Sequence, residues 1–228
     1  MKAIPCNIIV TILLNCFALS AVGQEQQSDL ADPAFRRTYV EKCTEQLKLT
    51  PNDYRLYVTR GTIYAWERKL PEALSDAKRA DQLQPNEAST KSLLGQLAVM
   101  QGRFVDAVPQ YTAAIAVEPK SAGLYNNRAV AYLKLGKLAD AQKDLSISIQ
   151  LDPKMGVAYE GLGEVMFAYG KYADCIKYCN QALKLNGSNE EAYYFRGCAY
   201  ERLGNKSQAK IDKERAVKMG YDGKITFK

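Results

Sequence analysis

Carboxylate side chains are the first groups in this sequence whose type and spacing could do chemistry. Glu160 and Glu164 are four residues apart, so a helix places both on one face, as in a general acid and base pair. The spacing implies no enclosed pocket, and carboxylates on a helix face are usually solvated. Histidine, the commonest general base, is absent from the 228 residues. No phosphate-binding glycine loop is present either, and we therefore predict that the protein is not an enzyme.

Thiols are the second reactive group, and three of them are close in sequence. Cys175 and Cys179 are four residues apart on one predicted helix, and Cys198 falls on the next. Their spacing matches no metal-binding motif, and no histidine can complete a zinc site. We therefore expect neither a metal nor a cofactor. Two interpretations stay open: a disulfide within this group, or small buried packing residues, a common role of cysteine.

The N-terminal segment, residues 1–23, differs from the rest of the chain. A positive start at Lys2 precedes an apolar stretch from Ile8 to Ala21, and Ala21-Val22-Gly23 supplies small residues after it. This pattern is typical of a secretory signal peptide over residues 1–23. It predicts a secreted or periplasmic protein that does not contact a membrane after cleavage. The alternative is an uncleaved N-terminal anchor, although the stretch is short for a membrane-spanning helix.

The overall charge gives little reason to expect a nucleic-acid partner. The formal net charge is +6, and the sequence has no run rich in lysine or arginine. Basic proteins that bind nucleic acid or membrane surfaces concentrate their charge in such runs or patches. We therefore predict no nucleic-acid partner.

The remainder of the chain repeats with a fixed period. Pro85, Pro119 and Pro153 are equally spaced along the sequence. Two sets of small residues keep the same spacing without an insertion: Gly61, Gly95, Ala129, Gly163 and Gly197, and Ala73, Ala107, Ala141, Cys175 and Ala209. A fixed period of this size indicates a stacked array in which each unit buries its apolar face against its neighbours.

Each repeat has the pattern of two helices joined by a tight turn. In residues 162–186, Gly170 and Lys171 separate two stretches with helical periodicity. The same position is glycine in most repeats, where a positive φ costs glycine little: Gly102, Gly136, Gly170 and Gly204. The prolines end the second helix of each repeat.

This pattern resembles the tetratricopeptide repeat. Counted from Tyr54, Ala88, Ala122, Gly156 and Glu190, most repeats have the family's small residue, aromatic residue, alanines and proline at the expected positions. Lys91, Arg68 and Gly187 depart from the pattern. The resemblance implies an all-α fold, a right-handed superhelical solenoid of antiparallel helix pairs.

The repeat boundaries divide the chain into consecutive segments. An apolar stripe of Phe35, Tyr39, Cys43 and Leu47 predicts a lone capping helix before the first repeat, and a lysine-rich last helix closes the other end. The predicted segments are a flexible leader at 24–33, the capping helix at 34–52, repeats at 54–87, 88–121, 122–155, 156–189 and 190–223, and a tail at 224–228.

The resemblance implies that protein segments bind along a concave groove lined by the first helix of each repeat. The stretch "LYNNRAVAY" at 124–132 is similar to repeats whose carboxylate clamp holds the acidic C-terminal tails of chaperones. The other clamp positions would fall at Ser92, Gln96, Val157 and Gly161, which lack the cations that bind a carboxylate. The protein is therefore not expected to bind chaperone tails.

The predicted groove is polar in the middle and acidic toward the C-terminus, whereas most lysines fall on the second helices. We therefore predict a protein or peptide segment, with lysine or arginine, as the partner. Asn126 and Asn127 would hydrogen-bond its backbone, and Phe167 and Tyr194 would supply apolar contact. The predicted groove residues are Trp66, Gln96, Met100, Asn126, Asn127, Lys134, Glu160, Glu164, Phe167, Glu191, Tyr194 and Glu201.

Two other functions are consistent with the sequence. One is a structural spacer within an envelope complex, with no ligand in the groove. A weaker alternative is a cell-wall or glycan-binding accessory that uses Trp66 and the tyrosines as stacking surfaces, although most tyrosines fall at packing positions.

Overall fold

The computed structural model describes residues 32–221, and in this range the regular structure is entirely helical. The predicted signal peptide, most of the predicted leader and the predicted tail lie outside the described residues. The chain divides into two compact units, residues 1–127 and 128–228. We describe each unit by itself.

Eleven α-helices make up the described residues. Their bounds are α1 Pro33–Leu49, α2 Tyr54–Trp66, α3 Leu70–Leu83, α4 Ala88–Met100, α5 Phe104–Val117, α6 Ala122–Lys134, α7 Leu138–Leu151, α8 Gly156–Ala168, α9 Tyr172–Leu185, α10 Glu190–Arg202 and α11 Lys206–Lys218. After α1, the helices form five consecutive pairs, and the first helices of these pairs begin at equally spaced positions. The fold is an all-α solenoid of repeated helix pairs, which confirms the predicted class. Within the described residues, no helix combines the length and the apolar character needed to cross a membrane.

A residue with positive φ ends the tight turn within each helix pair. Gly102, Gly136, Gly170 and Gly204 have φ values of 72°, 70°, 73° and 83°. Glycine adopts this left-handed region without steric cost, because it has no Cβ. In the first repeat Arg68 occupies the same place with φ 57°, a conformation that side-chain-bearing residues rarely adopt.

Small residues let the two helices of a pair approach closely. A Cβ atom added to Gly163 on α8 would lie 2.7 Å from Sγ of Cys179 on α9. The four cysteines of the described range are free and buried, and the sulfurs of Cys175 and Cys179 lie 3.9 Å apart. In this structure the thiols therefore act as packing residues.

Each unit has its own apolar core. In residues 32–127, Val58, Leu93 and Leu97 pack with the alanines of α2 and α3, and aromatic residues of α1 cover Ile63. In residues 128–221, Leu145, Leu162, Val165 and Phe195 form the centre of a cluster that extends from α6 to α10. Burial of this apolar surface is the main stabilising contribution, because each helix pair alone is too small to form a core.

A buried ion pair joins the two helices in every second repeat. Arg60, Arg128 and Arg196 each place two guanidinium nitrogens within 2.7–2.8 Å of the carboxylate 16 residues later. The partners Asp76, Asp144 and Asp212 are buried. This geometry explains the guanidinium in "LYNNRAVAY": Arg128 holds α6 against α7 through Asp144, and its carbon Cζ lies 5.8 Å from the ring of Tyr132.

Candidate ligand-binding site

Three carboxylates meet on the first helices of the last two repeats. Glu160 and Glu164 lie one turn apart on α8, and Glu191 lies on α10, which packs against α8. We call these three residues the acidic cluster. Glu164 is buried, with 7% of its surface exposed, whereas Glu160 and Glu191 are partly exposed. The sequence prediction named all three, and the structure brings them together.

The carboxyl groups of the acidic cluster are buried and close to one another, and both effects oppose their ionisation. Burial, and next the charge of Glu164, raises the pKa of Glu191 from 4.5 to about 7. Burial also raises the pKa of Glu164, and burial together with Glu191 and Glu164 raises the pKa of Glu160 well above its usual value. Lys134 at the end of α6 opposes each of these shifts. An additional positive group would act in the same direction as Lys134 and favour the ionised carboxylates.

The cluster does not have the geometry of a metal site. Among residues 32–221, no group of three or more cysteine, aspartate or glutamate side chains is arranged to hold a metal ion. Glu191 instead shares a hydrogen bond with Glu160, as expected when one of two close carboxyl groups keeps its proton. Carboxyl groups in this arrangement can hold a proton or accept a cationic side chain.

Two tyrosines border the acidic cluster. Tyr194 on α10 has its ring centroid 4.4 Å from that of Tyr221, which follows α11. Burial, and then Cys198, raises the pKa of Tyr194 to about 12. The pKa of Tyr221 is also raised, by burial and then by Glu191, so its hydroxyl lies near the cluster. The sequence analysis missed Tyr221, because it lies after the last helix and has no counterpart in the other repeats.

Two other predicted groove residues of this unit have different surroundings from those expected. Phe167 is partly buried in the core, where its ring lies 5.5 Å from Tyr172 and 5.9 Å from Phe195. Glu201 is exposed, but Lys213 binds its carboxylate at 2.7 Å and lowers its pKa. Glu201 therefore adds little net charge to the groove, which corrects the sequence-based prediction of its charge.

In the first unit, the expected open polar surface is buried. Gln96, Asn126 and Asn127 are 0%, 2% and 0% exposed. The prediction that they face a solvent-filled groove is wrong as to exposure, because these short polar side chains lie within the packed helices. Neither amide atom of Asn127 has a hydrogen-bond partner within the described residues. Its predicted contact with a ligand stays a prediction.

Trp66 and Met100 also belong to the packed interior of the first unit. Trp66 packs beside Ile63 with residues of α1, and the guanidinium of Arg36 lies 5.5 Å from its ring. Met100 packs against the core of α2, α3 and α4. Trp66 is therefore only partly exposed, and it does not offer the open stacking surface that a glycan site would need.

Comparison with known proteins agrees with this all-α repeat architecture. The sequence profiles of the tetratricopeptide repeat family match residues 92–156 and 190–219. The chain is a tetratricopeptide repeat protein, and this finding confirms the resemblance seen in the sequence. No curated protein sequence matches the chain.

Solved structures, among them that of the tetratricopeptide repeat protein YrrB, superpose over most of the chain. The type IV pilus biogenesis factor PilW has a TM-score of 0.75 at 16% identity, covering 94% of this chain and 96% of PilW. YrrB, described as having an unusual peptide-binding site, has a TM-score of 0.61 at 17% identity, covering 80% and 94%. PilF of Pseudomonas aeruginosa has a TM-score of 0.67 at 19% identity, covering 74% and 77%. At these identities the similarity establishes the fold.

Proposed function

We propose that this chain is an exported, non-catalytic scaffold that binds a peptide or loop of a protein partner on its first helices. Proteins built from tetratricopeptide repeats are scaffolds for protein interaction, and the similar protein YrrB has a peptide-binding site. The observation that carries the proposal is the acidic cluster. Its three carboxylates lie on first helices, are desolvated, and have one nearby lysine.

The acidic cluster indicates which side chains the partner should carry. A lysine or arginine side chain would neutralise the carboxylates and form charge-assisted hydrogen bonds with the partly exposed Glu160 and Glu191. Tyr194 would provide apolar contact beside the charge. An acidic segment would meet like charge in a partly desolvated site, which is costly. A basic segment is therefore the proposed ligand of this site.

A peptide array compares the charge preference of two matched variants. The array presents short peptides that differ only in lysine, arginine, alanine or glutamate at one position. We expect the parent to favour the basic peptides, and a Glu160→Gln, Glu191→Gln variant to lose that preference. The control variant Asp140→Asn, Asp174→Asn removes two exposed carboxylates of the same unit. Equal preference in the parent and the cluster variant would reject the proposal.

The pH dependence provides an independent test of the same cluster. Between pH 4.5 and about 7 the folded chain holds a proton on Glu191 that the unfolded chain has lost. The free energy of unfolding therefore decreases as the pH rises through this window, while affinity for a basic peptide increases. We expect Glu191→Gln to weaken both trends, as measured by thermal unfolding and titration at pH 5 and pH 8. Unchanged trends in that variant would exclude Glu191 as the titrating group.

The proposal that the protein is exported rests on its N-terminal sequence. The apolar stretch and the small residues at 21–23 support removal of residues 1–23. Mass spectrometry of protein from the native host should find a mature chain that begins near Gln24. A membrane-embedded chain that retains Met1 would instead support the uncleaved anchor.

A further inference from the structure

The loop between the last two repeats differs in sequence from the equivalent loops. Helices α9 and α10 are joined through Asn186-Gly187-Ser188. Gly187 stands where each equivalent loop has proline, as in Thr50-Pro51, Gln84-Pro85, Glu118-Pro119 and Asp152-Pro153. The departure of Gly187 from the repeat pattern therefore falls in a loop between repeats, outside the acidic cluster.

This loop keeps the backbone conformation of a loop that contains proline. Asn186 has φ −140° and ψ 98°, while Asp152, which precedes Pro153, has φ −136° and ψ 95°. Both lie in the extended region that a residue before proline adopts. Each side chain accepts a hydrogen bond from the backbone N–H two residues later, at 3.0 Å from Ser188 and 2.9 Å from Lys154. The loop therefore has the same shape with glycine as with proline.

The change from proline to glycine alters the chemistry of the loop instead. Asn186-Gly187-Ser188 is an acceptor sequence for N-linked glycosylation, which is Asn-X-Ser/Thr with any residue but proline at X. In an exported protein such a sequence belongs to a surface loop, and all three residues are exposed here. The N–H of Ser188 donates to Oδ1 of Asn186, which leaves the amide nitrogen Nδ2 for reaction with a sugar.

We propose that Asn186 is the attachment site of an N-linked glycan. Nδ2 of Asn186 forms a bond with the anomeric carbon of a sugar whose donor is a lipid-linked oligosaccharide diphosphate. The bond between that carbon and the diphosphate oxygen breaks, the lipid diphosphate leaves, and Nδ2 loses one proton. An oligosaccharyltransferase at the membrane through which the chain is exported catalyses the transfer. The inference rests on the export that the proposed function includes, and not on the acidic cluster.

A second acceptor sequence, Asn205-Lys206-Ser207, has a structural role. Oδ1 of Asn205 accepts a hydrogen bond from the N–H of Gln208 at 3.1 Å and so caps α11. Lys206 and Ser207 already belong to the first turn of that helix. A transferase must hold the acceptor residues in its own active site, which the helix hinders and the exposed loop at Asn186 permits. Asn205 therefore serves as the comparison within the same chain.

The direct test uses the protein recovered from its native host. Peptides that contain Asn186 are analysed by mass spectrometry before and after glycan release by peptide N-glycosidase in water enriched in heavy oxygen. Release converts the modified asparagine to an aspartate that carries the isotope, which distinguishes it from spontaneous deamidation of the Asn186-Gly187 sequence. We expect a glycan before release and the isotope at Asn186 after it. An unmodified Asn186, or a glycan on Asn205 alone, would overturn the inference.

Variants of the loop, produced in the same host, separate the acceptor sequence from the loop's structure. Gly187→Pro restores the residue of the equivalent loops, so we expect complete loss of the glycan with the fold retained by circular dichroism. Ser188→Ala should also lose the glycan, and Ser188→Thr should keep it. The control Asn52→Gln removes an exposed asparagine that is in no acceptor sequence and should leave the glycan unchanged. A glycan that persists in Gly187→Pro would reject Asn186 as the site.

The outcomes separate this inference from the proposed function. If residues 1–23 are removed and Asn186 is unmodified, export is supported and the glycan is rejected. If the chain retains Met1 and carries no glycan, both export and the glycan are rejected. A glycan on Asn186 of a chain that shows no preference in the peptide array supports the inference and rejects only the proposed basic ligand.

Discussion

The odd-numbered and even-numbered repeats form the same helix pair with different residues at two equivalent positions. In repeats 54–87, 122–155 and 190–223, a buried arginine–aspartate pair joins the first helix to the second. In repeats 88–121 and 156–189, the same two positions hold Leu94 with Gln110 and Leu162 with Tyr178. The first helices have the same length in both classes, and the second helices differ by at most one residue. The same helix pair therefore forms whether these two positions are charged or uncharged.

The ion pairs are embedded in aromatic surroundings in the odd repeats. The guanidinium carbon of Arg60 lies 5.7 Å and 5.9 Å from the rings of Tyr57 and Tyr64, and that of Arg196 lies 5.2 Å from the ring of Tyr193. Neighbouring rings stabilise the cation and limit its hydration. The aspartates have little exposure, so each charge depends on its partner for compensation.

The largest expected effect comes from removing one partner of an ion pair. Asp144→Ala leaves the guanidinium of Arg128 without its carboxylate, and we expect a loss of about 3–5 kcal/mol in the free energy of unfolding. Chemical denaturation measures this loss. The control Asp140→Ala changes an exposed carboxylate on the same helix and should have little effect. Similar losses for the two variants would show that the pair contributes no more than a surface charge.

A smaller effect is expected at the helix crossing of an even repeat. Gly163→Ala places a Cβ 2.7 Å from Sγ of Cys179, and overpacking of this kind costs about 1–3 kcal/mol. Adding Cys179→Ala removes the sulfur and should recover part of that loss. Denaturant titrations of both single variants and the double variant give the coupling. Strict additivity of the two changes would exclude this contact as the cause.

Replacing Arg68 in the turn of the first repeat with glycine should increase the free energy of unfolding by about 1 kcal/mol. Arg68 has φ 57°, in the region where the other four repeats have glycine. A non-glycine residue costs about 1–2 kcal/mol there, part of which is offset by the greater entropy of glycine in the unfolded chain. Arg68→Gly should therefore raise the melting temperature. The same substitution at exposed Arg103, after a turn glycine, should lower it or leave it unchanged.

Much of the fold could be predicted from sequence, because its signals are local and periodic. The equal spacing of Pro85, Pro119 and Pro153, and the glycines between helices, sufficed to indicate helix pairs of fixed length. The ion pairs were missed because they recur only in every second repeat, as in Arg60, Arg128 and Arg196, and a comparison of each repeat with the next hides them. The signal was present, but at twice the period that was compared.

The candidate site was less predictable, because exposure depends on packing between helices. The family geometry indicates which residues a first helix turns toward the groove, but not how closely the next helix covers them. Gln96 and Glu164 are buried for this reason, whereas Glu160 stays partly exposed. The position of Tyr221 depends on the capping turn of α11 and on no repeated feature.

The smallest expected effect tests the comparison itself, by giving an odd repeat the residues of an even one. Arg128→Leu with Asp144→Gln introduces the pair found at Leu94 and Gln110. Because both charges are removed together, no buried charge lacks a partner, and replacing a whole ion pair is often neutral or stabilising. The lost contact between the guanidinium and Tyr132 is worth about 0.5–1 kcal/mol. We therefore expect the double variant to unfold within about 1 kcal/mol of the parent, recovering most of the loss seen in Asp144→Ala. If the double variant is as unstable as the single one, the third repeat needs its charges for more than mutual compensation, and the two classes of repeat are not interchangeable.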